Sequence, residues 1–389
     1  MASTALGPGG RAVEAISCSA ACVDFCLGRQ APVLVAGLVD GAVCAYDVLR
    51  GSLAWRVTPF AEADAAVMTC ARSADDALVA MGNAAGALSV VSMESGKPVW
   101  SHEADVGRED AGITAVTFLE GATDGNNAPP TVLISGSESG VVEFWDTRQA
   151  PSKAAVARCA KHSDYISSLQ TSARAGRNTP GPVVLSTAAD GTLSIIGADT
   201  AAPSSSSSAR LGALIARSEP VGDELLSLAV VKGGRKVVCG TLLGALAIFS
   251  WGQWDDLSDR LVGHPDTVES LVTVDDDTLL TGCGDGLIRL VQVHPNRLLG
   301  VVGSADDEMP IERVDICASR AIVACCGHSE RVQLFDVLYL YEDVAEEDAS
   351  EHGEEDHRRE GRSSRQAARR HVRRVPPTTT TSSNFFDGL

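Results

Sequence analysis

Residues 33–46 read Val33-Leu-Val-Ala-Gly-Leu-Val-Asp40-Gly41-Ala-Val-Cys-Ala-Tyr46. Two β-prone runs flank an Asp-Gly pair, which supplies the positive φ that a two-residue hairpin turn requires. Val43, Ala45 and Asp47 alternate with Cys44 and Tyr46, the period of a strand. The same pattern recurs as Ala85-Gly86-Ala-Leu-Ser-Val-Val91, Ser139-Gly140-Val-Val-Glu-Phe-Trp145 and Asp190-Gly191-Thr-Leu-Ser-Ile-Ile196. It returns as Leu243-Gly244-Ala-Leu-Ala-Ile-Phe249, Asp285-Gly286-Leu-Ile-Arg-Leu-Val291 and Ser329-Glu330-Arg-Val-Gln-Leu-Phe335. The turns at 41, 86, 140, 191, 244, 286 and 330 lie 42 to 54 residues apart.

Further β-rich segments precede most hairpins, at 66–71, 113–119, 165–171, 224–231, 267–274 and 311–318. A fourth follows several of them, at 53–57, 98–102, 210–216 and 298–302. Four strands per unit of about 40–50 residues is the signature of a propeller blade. Seven turns predict an all-β, seven-bladed propeller. Gly263-His264, Lys161-His162 and Ser101-His102 stand before first strands, and Trp145-Asp146 closes a third strand. Tyr46-Asp47 and Phe335-Asp336 are weaker forms of that ending. These features specify WD repeats. His264, Thr281 and Asp285 in blade six, and His162, Ser186 and Asp190 in blade four, are expected to bond one another and pin their blades.

The expected organisation is a disordered N-terminus over 1–12, a propeller over 13–341 and a tail over 342–389. A propeller must close, because an open one leaves an unpaired edge. Val13–Ser17 and Val337–Tyr341 compete for the outer strand of the last blade. Polar insertions at 120–130, 171–182 and 199–210 read as surface loops, and the five Ser at 204–208 are alternatively phosphorylation sites.

The chain of 389 residues carries 51 acidic and 32 basic residues, a net charge of −19. That balance argues against a general nucleic-acid-binding surface and favours basic partners. No apolar run approaches the roughly 18–20 residues that span a bilayer, so no membrane partner is expected. Met1–Gly10 lacks the pattern of a secretory signal. The 11 Cys are therefore expected as reduced thiols. Cys18, Cys22 and Cys26, four apart, and the adjacent Cys325 and Cys326 read as small core residues. There is no HExxH, Walker A, GxSxG or CxxC in the sequence. Neither catalysis, nor a metal, nor a cofactor is expected.

After Tyr341 the composition changes. Glu342–Asp356 holds nine acidic residues, and Arg358, Arg359, Arg362, Arg365, Arg369, Arg370, Arg373 and Arg374 follow. Such a segment cannot bury a core and is expected to be disordered. The Arg block reads either as a solvated tail or as a basic patch for nuclear import or weak RNA contact. Phe385, Phe386 and Leu389 end the chain and read as a short docking motif.

The chain also resembles the WD repeat-containing protein 55 family. The matching stretches are Gly37-Leu-Val-Asp-Gly41, Ser218-Glu-Pro220, Gly234-Arg-Lys-Val-Val-Cys-Gly240 and Phe249-Ser-Trp251. They continue through Ser258-Asp-Arg260, Gly284-Asp-Gly-Leu-Ile-Arg289, Pro295-Asn-Arg297, Gly327-His328 and the terminal Phe385-Phe-Asp-Gly-Leu389. The low aromatic content, the three insertions and the Arg-dominated tail depart from the family pattern. The resemblance implies a scaffold in ribosome biogenesis and ribosomal RNA processing, located in the nucleus and nucleolus, with basic ribosomal or assembly proteins as partners. A second resemblance lies in Trp145-Asp146-Thr-Arg148, similar to the WDxR motif of substrate receptors for cullin–RING ubiquitin ligases. It implies docking of Arg148 to a ligase adaptor. Arg just after Trp-Asp is also common in WD repeats generally.

Overall fold

In the computed structural model the described residues are 11–12, 15–29, 31–60, 65–103, 112–119, 132–149, 154–173, 181–200, 210–305, 309–317 and 321–341. They form seven antiparallel sheets arranged as the blades of a ring. Blade one comprises Cys22–Leu27, Val33–Leu38, Val43–Asp47 and Ser52–Val57. Blade two runs from Val67–Arg72 to Pro98–His102, blade three from Ile113–Phe118 to Ala157–Ala160, and blade four from Ile166–Ser172 to Leu214–Arg217. Blade five runs from Leu225–Val231 to Asp259–Val262, and blade six from Val268–Thr273 to Arg297–Ser304. Blade seven takes Arg313–Cys317, Ile322–Cys326 and Arg331–Asp336 from the end of the chain. The fourth strands of blades three and five are short and were not legible in the sequence.

The N-terminal segment closes the ring. Arg11 and Ala12 pair with Asp336 and Phe335, and Ile16 and Ser17 pair with Val332 and Arg331. The ladder begins at Arg11, ahead of the boundary expected at residue 13. The competing segment over 337–341 forms a short 3-10 turn instead, Leu338–Leu340, and buries Leu340 between blades six and seven.

Strand alternation explains the core. In blade one Leu34, Ala36 and Leu38 face blade seven, whereas Val33 and Val35 face blade two. Every blade is apolar on both faces in this way, so seven separate apolar cores lie between neighbouring blades. Val, Leu, Ile, Ala and Cys suffice because each core is only two sheets thick. Blades also interlock at glycine. A Cβ on Gly136 would lie 2.5 Å from Cγ2 of Ile166, the first residue of the next blade, so only glycine admits that contact.

The hairpin turns of blades one to six are three residues long, not two, whereas blade seven joins Cys326 to Arg331 through a longer loop. Gly41 N–H donates to Leu38 O, Leu38 N–H donates to Ala42 O, and Gly41 takes φ +77°. This is a type I turn followed by a left-handed residue. The glycine is required, as expected, but one position later in the loop geometry. Gly191, at φ +74°, has the backbone oxygen of Asp223 only 2.6 Å from the place of a Cβ. The expected insertion at 120–130 lies outside the described residues, as do 174–180 and 201–209 of the other two. Thr171 and Ser172 belong to the innermost strand of blade four.

Candidate functional site: the ring faces and the central channel

The innermost strand of every blade has one edge facing the channel, where its backbone groups lack a ladder partner. Side chains of adjacent blades fill that need. Thr114 Oγ donates to Ile166 O at 2.6 Å, Ser167 Oγ to Leu225 O, and Ser227 Oγ to Val268 O at 2.8 Å. Ser270 Oγ accepts from Val314 N–H at 3.0 Å. Near the ring closure carboxylates replace the hydroxyls. Asp315 accepts from Leu27 N–H at 2.8 Å, and Asp24 accepts from Cys70 N–H at 2.7 Å. Arg313 faces Asp24 at 3.2 Å. Burial raises the Asp24 carboxyl above its ordinary range, and Arg313 and the N–H groups of Cys70 and Phe25, both of which Asp24 accepts, oppose that rise. Arg29, Arg72, Arg313, Gln170 and Asp315 line a cavity of about 180 Å³ at one channel mouth. The sequence reading missed this constellation. Its one signal was a charged residue inside an otherwise apolar strand, as in Cys22-Val-Asp24-Phe25.

The two expected blade seals are built differently from each other. In blade four, Asp190 accepts from His162 Nδ1 at 3.2 Å, Thr192 Oγ at 2.6 Å, Ser163 N–H at 2.9 Å and Arg217 at 2.9 Å. Burial alone would push the Asp190 carboxyl up. The bonds from His162, Thr192 and Ser163 outweigh it and hold the carboxyl well below the usual carboxylate range. Ser186, expected in this network, is buried without a hydrogen-bond partner, and Thr192 takes its place. In blade six, His264 Nε2 meets Thr281 Oγ at 3.0 Å as expected. Asp285 turns instead to Arg289, which it binds through both oxygens. Burial, reinforced by Arg289, pulls His264 down to about 4.

Blade three carries the WDxR stretch. Trp145 Nε1 donates to Ser135 Oγ at 2.9 Å, and its ring lies 4.3 Å from that of His102. Trp145 is therefore a buried blade residue. Arg148 stands at the start of the following loop with 67% of its side chain exposed. Its guanidinium binds Asp146 through two bonds of 2.9 Å and holds that carboxyl below its ordinary range. Phe385, Phe386, Leu389 and the eight tail Arg lie outside the described residues.

The hairpin turns sit against the loops that enter the next blade, as Gly140 does against His162 and Asp164. Asp40, Glu138, Asp190, Asp285 and Glu330 from the turns thus share one face with Asp164, Glu219, Asp223 and Asp266 from those loops. Among the described residues, no group of three or more His, Cys, Asp or Glu is placed to hold a metal. No helix among them is long and apolar enough to cross a membrane.

Comparison with known proteins agrees with this architecture. The family model described as outer membrane protein assembly factor BamB matches residues 25–178. A computationally designed protein, Ika8, shares the fold at a TM-score of 0.58 and 20% identity, over 83% of this chain and 85% of its own. WD repeat-containing protein 55 of Arabidopsis thaliana is 34% identical over 56% of this chain, and the match spans 55% of its own length. WD repeat-containing protein 55 of Rattus norvegicus is 28% identical over 54% of this chain and 49% of its own. WD repeat-containing protein JIP5 of Cryptococcus neoformans is 31% identical over 83% of this chain and 81% of its own. The chain is thus a WD-repeat propeller that belongs to the WD repeat-containing protein 55/JIP5 family.

Proposed function

We propose that this protein is a non-enzymatic scaffold of ribosome biogenesis and ribosomal RNA processing that works in the nucleolus and binds basic ribosomal or assembly proteins. The observation that carries the reading is the acidic turn face on a propeller of this family. Asp40, Asp190 and Asp285 there are already paired with Arg56, Arg217 and Arg289, so Glu138, Asp164, Glu219, Asp223, Asp266 and Glu330 supply the field that draws a basic partner at long range. The tail block from Arg358 to Arg374 supplies the opposite charge for nuclear import and weak RNA contact. Affinity purification of the tagged full chain, followed by mass spectrometry, tests the reading. Ribosomal proteins and assembly factors are the expected companions, and their absence defeats it. Replacing the eight tail Arg by Gln should abolish nucleolar enrichment while the propeller stays folded. Persistent enrichment would move the address to the propeller or its partner.

The second reading, a substrate receptor of a cullin–RING ligase, draws on the exposure of Arg148. An adaptor would have to compete with Asp146 for the guanidinium. Arg148→Ala should weaken adaptor co-purification at least tenfold if Arg148 docks, since interface Arg anchors are worth about 2 kcal/mol. Unchanged co-purification retires this reading.

A further inference from the structure

In the hairpin turns of blades one to four and six, the position before the glycine holds Asp40, Ala85, Ser139, Asp190 and Asp285. Blade five departs from them with Leu242-Leu243-Gly244. Leu243 is 76% exposed, so its side chain adds little to the core. Its N–H donates to the Asp223 carboxylate at 3.2 Å, and a Cβ on Gly244 would lie 2.7 Å from Asp266 O. The leucine therefore stands between the two acidic loops that enter blades five and six. Val262, 71% exposed, ends the outer strand of the same blade opposite Ala245, two residues beyond Leu243. The acidity continues toward the channel. Burial, together with Glu224, Glu269 and Asp164, raises the Tyr165 hydroxyl above its ordinary range. An occupant that fits this place carries cations beside an apolar anchor.

The chain itself holds such a segment. Residues 358–389 carry eight Arg against Glu360 and Asp387, and they include Phe385 and Phe386. The third strand of blade seven, Arg331–Asp336, leads away from the turn face, and Tyr341 then packs against the core between blades six and seven. A six-residue strand is about 20 Å long and packed sheets lie about 10 Å apart, which sets the distance from Tyr341 to the blade-five turn. Arg358 follows Tyr341 by 17 residues and Phe385 follows it by 44. A coil of that second length spans roughly 33–40 Å, so a tethered segment meets the face at an effective concentration of about a millimolar.

We propose that the chain's own basic tail folds back over the turn face, with Phe385 and Phe386 seated on Leu242 and Leu243 and the Arg358–Arg374 block against Asp223, Asp266 and the acidic channel mouth. Docked in this way, the tail covers the face and withholds its own arginines from other ligands. A basic partner that takes the face more tightly releases them. The proposal does not rest on the scaffold reading.

The full chain carrying the photo-cross-linker p-benzoylphenylalanine in place of Phe386 is irradiated in dilute solution, and the monomer fraction is digested with trypsin and mapped by mass spectrometry. The expected product joins the terminal peptide to residues 237–260, which hold Leu242 and Leu243. Leu243→Ser gives blade five the residue that blade three has at Ser139, so the turn keeps its fold. It should cut the yield about fivefold at an unchanged melting temperature. Replacing the eight tail Arg by Gln should cut it at least as much. No attachment, attachment elsewhere on the propeller, attachment found only in dimers, or a yield untouched by Leu243→Ser overturns the proposal. Each of these leaves the scaffold reading standing, since that reading is judged by the proteins that co-purify.

Discussion

Blade four and blade six begin from the same sequence plan, a His before the first strand and an Asp in the Asp-Gly turn, and reach different electrostatic ends. In blade four the carboxylate is the hub. Asp190 gathers His162, Thr192, Ser163 and Arg217 while its side chain is only 6% exposed. In blade six the carboxylate is diverted. Arg289 lies four residues after Asp285 and captures it, leaving His264 with Thr281 and a cation nearby. A basic residue on the third strand thus decides whether the turn Asp serves its own blade or its neighbour in sequence. In blade four the corresponding position is Ser194, and the Arg comes instead from the outer strand, at Arg217.

The sharpest way to break this contrast is Asp190→Ala. It leaves several buried donors without an acceptor and should cost about 2–3 kcal/mol in chemical denaturation. Asp285→Ala removes the acceptor of one side chain, the mostly buried Arg289 (13% exposed), rather than of four donors, and should cost less. Equal costs would mean that both blades use their Asp alike.

The next effect is seen in pH. His264 titrates at about 4 in the fold and near the ordinary histidine value in the unfolded chain. Its contribution is therefore fully present above about pH 6.5 and is lost as pH falls toward 4, because the unfolded chain takes up the proton first. Asp190, held below the ordinary carboxylate range, contributes above that range and loses its share at lower pH still. Melting temperature followed from pH 7 to 4 should decline less steeply in His264→Gln than in wild type. An unchanged slope would show that His264 is not held neutral.

Two smaller substitutions separate the hydroxyls. Thr281→Val removes the one partner of His264 Nε2 and should cost about 1 kcal/mol. Ser186→Ala removes a buried hydroxyl that has no partner and should change stability by less than about 0.5 kcal/mol in either direction. A cost near 1 kcal/mol for Ser186→Ala would restore the network read from the sequence.

What the sequence revealed follows from the range of the forces involved. The blades were legible because alternation and turn glycines are local, and Gly41 and Gly191 carry their conformational demand in their own backbone. Kinship was legible because ordered stretches such as Ser218–Pro220 and Pro295–Arg297 lie outside the general repeat. The closing strand was not decided, since both Val13–Ser17 and Val337–Tyr341 hold β-prone residues, the second more of them, and only the position of the ring's free edge selects the first. The channel groups Asp24, Asp315 and Arg313 were invisible because their partners are one blade away, or at the other end of the chain. Trp145 was legible as a repeat feature, but its burial against His102 and Ser135 depends on two neighbouring blades and withdraws it from docking.

The closing ladder also sets a timetable. Ile16 and Ser17 leave the ribosome more than three hundred residues ahead of their partners Val332 and Arg331. At typical elongation rates that interval is roughly 15–60 s. Blade one is made early, with its blade-seven side lined by Leu34, Ala36 and Leu38 and nothing yet synthesised to cover it. Throughout that time the nascent chain presents an apolar sheet face and a waiting strand, which makes the period of synthesis its interval of greatest exposure to aggregation and to chaperones.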